Sequence, residues 1–407
     1  MSKRITFLCA LSLEDPNGTG RYFPFAKELV RQGHSVTIIA LHGDYYSLSA
    51  AQRSFKKDGV SIHYAAQMHV LKRGDHKFYF NKTKLFFIAV LAVLKMAWYG
   101  LCVPSDILYC FKLQPINSLA TLIIKIIKWK NRIFLDCSDY ESGSGNLNAL
   151  ERRIFQWFEY LMPRTAHTIS YHSSYLKDRL DSIGCGPKCV HLPNGIDRVR
   201  LEKIFDRNIV ENLQQRINPM KKKIILYFGS LSLAGGHAID LLISAFSRLE
   251  QPDKALLVII GGGEDIDRLK TQSSDNESII FTGKVDPMTV MTYVACAYLS
   301  VDPVRASEFN EGRYPLKIVE SIAAGVPVIT SDIGDRRSIL NQERAGLLVR
   351  PGDEKDLCKG LTRLLNDEQL RDNMSHYGST IFRKNFCWDQ ITQRFLTNVT
   401  ESHGITF

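Results

Sequence analysis

The 407-residue chain has few of the features that would set it apart from ordinary globular proteins. Its nine cysteines are odd in number and scattered, and the closest pair, Cys185 and Cys189, has no second pair nearby, which argues against a disulfide framework or a structural zinc site. They read as reduced thiols of a cytosolic compartment. Only 14 prolines, with 45% hydrophobic and 23% charged residues, exclude a disordered or collagen-like chain. The opening MSKRITFLCALSLED shows no small-residue cleavage site after its short apolar run, so no signal peptide is expected. Acidic residues are scarce in the first half: residues 1–198 carry 26 Lys+Arg against 15 Asp+Glu, a net +11, while residues 199–407 carry 26 against 27. A one-sided basic excess beside an apolar segment points to an anionic substrate or membrane surface and away from a nucleic-acid coat.

This length suggests about two to three domains. The run ITFLCAL, the loop DPNGTG, the helical pattern RYFPFAKELVRQG and the run HSVTIIAL read as strand, loop, helix and strand, the start of a parallel sheet. A break at LPNGID, Pro193 to Asp197, precedes a charged stretch, and the alternation restarts with KIILYFG, ALLVIIGGG, SIIFTG, AYLSV and VPVIT. Near-continuous apolar strands alternating with helices predict a second doubly wound unit. The expected division is 1–200, 201–385, and a C-terminal helix in 386–407 that packs back on the first domain.

The stretch RYPLKIVESIAAGVPVITSDIG, Arg313 to Gly334, resembles the donor-binding signature of family 4 glycosyltransferases. The opening loop, LPNGID and YFGSLSLAGGHAIDLLISAF fit the same family, so the likeness runs from about Ile5 to Trp388. It implies the α/β GT-B fold, two Rossmann-like domains facing a cleft, with the nucleotide-sugar donor on the second and the acceptor on the first. It also implies that no metal or other cofactor is required, because protein groups hold the diphosphate.

Elementary chemistry supports that block independently. A helix starting near Leu316 offers exposed N–H groups and a dipole that favour an anion by about 0.3–1 kcal/mol. Lys317 adds a full charge, and Glu320, one turn along the same face, can accept from ribose hydroxyls. The plain alternative is a solvated i,i+3 ion pair on a surface helix. Arg313 joins Lys317 and Glu320 as the expected catalytic set.

The sequence departs from the family where an Arg and a Lys usually face the diphosphate: Ser230 follows the strand-end Gly229, and Ala234 or Gly235 stands for the Lys. Losing one preorganised donor to a developing oxyanion costs about 3–4 kcal/mol, so other groups must substitute or the catalyst is weak. The substitutes expected are backbone N–H groups of Gly235, Gly236 and His237 at the next helix start, with Arg305 and Arg313. His237 can equally be structural. Gly283, Lys284 and Val285 are expected beside the base, and Leu316 and Ile318 flank Lys317. Glu311 is one residue out of register with the family's paired glutamates.

On the acceptor side, Gly18, Thr19 and Gly20 either let backbone approach a sugar or phosphate or simply make a tight turn. Asp136, Asp139 and Glu141 can orient sugar hydroxyls, hold a basic group, or cap the helix beginning near Leu147. They do not form a metal pattern. Residues 53–84 hold eight Lys+Arg against two Asp, and residues 85–103 carry one charge, Lys95. A helix of that length measures about 28 Å, yet a central lysine and the continuity of the sheet oppose a span. The expectation is a helix that packs on the sheet or docks at an anionic membrane, with Trp98, Tyr99 and the preceding cations in contact.

Together these readings predict a retaining glycosyltransferase that moves a sugar from a UDP- or GDP-sugar to a hydroxyl of a glycan or lipid-linked acceptor in cell-surface polysaccharide synthesis. It would be cytoplasmic, peripheral on the inner face of the membrane through residues 53–103, and would bind no nucleic acid. The alternatives are a non-catalytic GT-B scaffold and a nucleotide-sugar epimerase.

Overall fold

The computed structural model describes residues 2–15, 17–73, 76–145, 147–202, 206–274 and 276–403. The chain divides into two compact units, residues 1–193 with 391–407, and residues 194–390. The first unit therefore ends seven residues before the expected position. The reason is local: Ile196 bridges to Cys387, and the Asn194 side chain donates to the Tyr314 carbonyl at 2.6 Å, both inside the second unit.

Unit one is an eight-stranded sheet ordered β10-β9-β8-β7-β1-β2-β4-β3, all parallel except that β3 runs against β4. The strands are β1 Arg4–Cys9, β2 Ser35–His42, β3 Ser54–Lys57, β4 Val60–Gln67, β7 Ile107–Phe111, β8 Arg132–Cys137, β9 Thr168–Tyr171 and β10 Cys189–His191. A separate hairpin pairs β5 Val70–Arg73 with β6 His76–Tyr79. Sequence reading expected only a basic stretch here. Its strands are four residues each and hold Lys72, Arg73, His76 and Lys77, so no apolar alternation marks them.

The helices of unit one are α1 Phe23–Arg31, α2 Lys82–Cys102, α3 Pro115–Ile127, α4 Ala149–Thr165 and α5 Ser174–Ser182. The crossovers from β4 to β7 and onward to β8, β9 and β10 all step in one direction, so right-handed connections put α2 to α5 on one face of the sheet. Ala92 and Met96 of α2 and Ala120 and Ile124 of α3 are buried there with Leu8, Ile39 and Leu108. On the other face, Phe25 of α1 meets Phe395 of the C-terminal helix Trp388–His403 at a ring separation of 5.6 Å. The last residues of the expected 386–407 segment, 404–407, lie outside the described residues.

Unit two is a six-stranded parallel sheet, β13-β12-β11-β14-β15-β16. Its strands are β11 Lys223–Phe228, β12 Ala255–Ile260, β13 Ile279–Gly283, β14 Leu299–Asp302, β15 Val328–Ser331 and β16 Gly346–Val349. Ile224, Leu226 and Phe228 point to one core, and Ile225 and Tyr227 to the other. Burial on both faces is why the strand reads as an unbroken apolar run. Two helices carry the site, α6 Ile239–Ser247 and α7 Leu316–Ala323, and the C-terminal helix is α8.

Candidate nucleotide-binding site

The carboxyl ends of β11, β12 and β13 finish in glycines with positive φ: Gly229 at 143°, Gly261 at 140° and Gly283 at 72°. Only glycine adopts the first two without strain. The close approach needs it as well, since a Cβ at Gly261 would lie 1.8 Å from the Gly229 carbonyl oxygen. The neighbouring strand β14 ends in Asp302, and α7 starts at Leu316 after Pro315, whose side chain offers no capping acceptor.

Lys317 lies in the first turn of α7 with its side chain only 14% exposed. Its Nζ is 3.3 Å from Asp302 Oδ1 and 4.3 Å from the centre of the Tyr227 ring, and it makes no hydrogen bond. Burial draws the ammonium pKa down, partly opposed by the Asp302 charge. For Asp302 itself burial would raise the pKa, but Lys317 and Arg336 outweigh it and hold the carboxylate well below its usual range. Arg336, fully buried, donates from Nε and Nη2 to Asp302 Oδ2 at 3.2 and 3.1 Å.

Glu320 is one turn further along α7, its side chain 5% exposed and ion-paired with Arg200. The solvated surface pair considered above is thereby excluded. Burial pushes the Glu320 pKa up, opposed by Arg200 and then Lys317. Arg200 comes from a single helical turn, Arg198–Glu202, and its Nη2 donates to the Pro287 carbonyl at 3.2 Å. Its Nε, like Lys317 Nζ and His237 Nδ1, is buried without a hydrogen-bond partner. Buried polar atoms are ordinarily satisfied, so three unmet nitrogens within one site point to a polar ligand.

Asn310 ties the surrounding loops together. Its Nδ2 donates to the carbonyls of Gly236 at 3.0 Å and Arg305 at 2.8 Å, and its Oδ1 accepts from Arg313 at 3.2 Å. Arg313 also lies 4.1 Å over the Phe309 ring. His237 is held neutral by burial first and by the charges of Lys317 and Arg313 second.

Several expected donor contacts are placed differently. The helix after Gly229 begins at Ile239, not at Gly235. The Gly235 N–H donates to Ser232 Oγ at 3.1 Å and the Gly236 N–H to the Leu233 carbonyl at 3.0 Å, so the turn consumes its own donors. Arg305 is held by Asp240 in a two-bond fork of 3.1 and 2.6 Å. Ile318 is wholly in the core and Val285 packs against it, whereas Leu316 is half-buried at the helix start. Ser230 is exposed, its carbonyl accepting from Tyr227 Oη at 2.8 Å. The Lys284 side chain runs beside Gly262, next to the Gly283 turn.

In unit one, Asp136 is a correction. It is fully buried and takes Arg21 through two bonds of 3.1 and 2.6 Å and Ser170 Oγ at 2.7 Å, so it presents nothing to an acceptor. Asp139 and Glu141 hold Lys112. Burial would lower the Lys112 pKa, but the two carboxylates outweigh it and raise it. The helix near Leu147 is capped by none of these; α4 starts at Ala149 with Asn148 and Glu151 forming a reciprocal capping box. Gly18 opens a wide helical turn to Tyr22, and a Cβ there would lie 2.4 Å from the Leu13 carbonyl oxygen. Thr19 donates its N–H back to Asp15 at 3.0 Å, and Gly20 is buried in the same turn.

Sequence reading missed Arg200, Asp302, Asn310 and Arg336. Asp302 alone had a signal, as an acid at the end of an apolar strand.

Residues 209–380 match the family described as glycosyl transferases group 1. An uncharacterized glycosyltransferase of Methanocaldococcus jannaschii is 26% identical over 261 residues, 61% of this chain and 64% of that protein. A phosphatidyl-myo-inositol mannosyltransferase of Mycobacterium leprae is 27% identical over 241 residues, 59% of each. The chain thus spans about three fifths of the curated relatives it matches. The sucrose-phosphate synthase structure from Thermosynechococcus elongatus superposes with a TM-score of 0.75 at 16% identity, over 98% of this chain and 99% of that one, and the shared fold is GT-B. With its signature helix in the second unit, the chain resembles the group 1 glycosyl transferases over residues 209–380.

Proposed function

We propose that this protein is a retaining glycosyltransferase that uses a UDP- or GDP-sugar and a hydroxyl of a glycan or lipid-linked acceptor. One observation carries the reading: Lys317 and Glu320, one turn apart on α7, are both buried at the carboxyl end of a parallel sheet, the lysine without a hydrogen bond. The donor diphosphate fits the Lys317 ammonium and the α7 N-terminus, and the ribose hydroxyls donate to Glu320. Arg313, positioned by Asn310, and Lys284 are the nearby cations that take the place of the family's missing pair.

In this scheme the acceptor hydroxyl attacks the anomeric carbon on the face from which the diphosphate departs. The carbon–oxygen bond to the diphosphate breaks, the bond to the acceptor forms, and the hydroxyl proton leaves with the diphosphate. Protein groups, and no metal, hold the diphosphate. The protein supplies charge stabilisation and alignment, so no protein nucleophile is needed. The setting is the cytoplasm, on the inner face of a membrane where surface polysaccharides are assembled.

The test is donor hydrolysis or transfer by Lys317→Ala and Glu320→Ala, with and without chelator. Unchanged rates in both variants overturn the site. A second reading, a scaffold without catalysis, is favoured by Asp240 holding Arg305 away as a substitute cation. Calorimetry with UDP and GDP separates the two, since a scaffold that has lost its donor site binds neither.

A further inference from the structure

Helix α2 is the one described helix long and apolar enough to cross a membrane. It is buried along one side only, through Ala92, Met96, Ala97 and Gly100, where it packs on the sheet and on Ile124 of α3. Its opposite side carries Phe87, Leu94 and Trp98, each more than half exposed. The apolar exposure does not stop there. Ile126 of α3 and Trp129 just beyond it are also more than half exposed, and so is Trp157 of α4. These helices lie side by side on the same face of the sheet, so the outer layer of three consecutive crossovers is apolar where a solvated surface would be polar.

Charge identifies what covers it. Residues 82–132 hold eight Lys+Arg, one of them Lys112 buried against Asp139 and Glu141, and a single acid, Asp106, which is already paired with Arg4. Lys82 and Lys84 stand exposed at the start of α2, Lys130 and Arg132 after α3, and Arg153 on α4. Tryptophans and apolar side chains rimmed by cations are the composition of a surface that sits at the headgroup level of an anionic bilayer. A spanning α2 would have to leave the sheet that buries its other side.

We propose that α2, α3 and α4 together form one docking face for an anionic lipid bilayer, so that unit one lies on the membrane through three helices and not through residues 53–103 alone. This rests on the peripheral setting proposed above but not on the donor site, because every residue named belongs to unit one. The experiment is flotation of the full chain with vesicles of equal parts phosphatidylcholine and phosphatidylglycerol, against phosphatidylcholine alone. Trp98→Glu, Trp129→Glu and Trp157→Glu test the three helices separately. Wild type should float with the anionic vesicles and be released as salt approaches about 1 M, where the screening length falls to about 3 Å. Each variant should lose about tenfold in partitioning, as a charge placed in the interface costs on the order of 1 kcal/mol or more.

Wild-type protein left in the soluble fraction at low salt overturns the proposal. So does binding by Trp129→Glu and Trp157→Glu equal to wild type, which confines contact to α2. Sedimentation without lipid covers the rival occupant: self-association abolished by the same three variants would make the face a dimer interface and overturn it too. UDP and GDP binding, measured in parallel, should be unchanged in all three. Vesicle binding without nucleotide binding in wild type would sink the transferase reading and leave the docking face standing.

Discussion

A Cβ atom at Gly229 would stand 2.9 Å from the Nζ of Lys317, so a strand end and a helix start share one small space. The strand leaves room that the ammonium fills, and a side chain there would displace it. Gly229 also holds φ at 143°, a region that costs an L-residue about 1–3 kcal/mol. Gly229→Ala should therefore weaken UDP or GDP binding by about tenfold or more and lower Tm by a few degrees, read by calorimetry and thermal shift.

At Lys317 function and stability separate. Its ammonium is buried beside Asp302, which keeps Arg336 when the lysine is removed, so Lys317→Met should abolish nucleotide binding while leaving Tm within a few degrees of wild type. Its lowered pKa also has a pH consequence. The cation is present below that value and lost above it, so nucleotide affinity should decline with rising pH before the ordinary lysine value of 10.5 is reached. Lys317→Arg should remove that decline, because a guanidinium stays charged. A pH titration of the dissociation constant reads both.

Arg200 and Glu320 should behave as a unit. Removing the guanidinium leaves a carboxylate buried without a partner, which costs about 3–5 kcal/mol, so Arg200→Met should be strongly destabilised in a denaturant titration. The double variant Arg200→Met/Glu320→Met should recover most of that loss. It should not recover nucleotide binding, because the proposed acceptor of the ribose hydroxyls is gone.

The Arg21–Asp136 pair makes the contrasting prediction. Arg21→Met should cost about 3–5 kcal/mol in unit one and leave nucleotide affinity unchanged. Burial would raise the Asp136 pKa, but Arg21 and then Ser170 outweigh it and lower it. The stability it contributes is fully present above its unfolded value near 3.8 and is lost as pH falls through the lower folded value. Asp136→Asn should flatten that part of the acid-unfolding profile.

What could be read along the chain was whatever is written in neighbouring residues. Strands buried on both faces showed as apolar runs at KIILYFG and ALLVIIGGG, and α7 showed its i,i+3 pair of Lys317 and Glu320, because periodicity and turn chemistry are local. The edge strand β3 was hidden because all four of its residues face water, whereas β4 is largely buried and its His63 and Gln67 interrupt the apolar run that would have marked it.

By itself, then, the sequence determined the alternation of strand and helix outside residues 54–79, two doubly wound units, and a helix start furnished with an ammonium and a carboxylate. Tertiary structure decided which charges are spoken for. Asp240 holds Arg305, Asp136 belongs to Arg21, and Arg200 reaches Glu320 from 120 positions away. Partner choice among buried charges depends on desolvation and on distances of a few ångströms, set only when strands far apart in the chain are laid side by side.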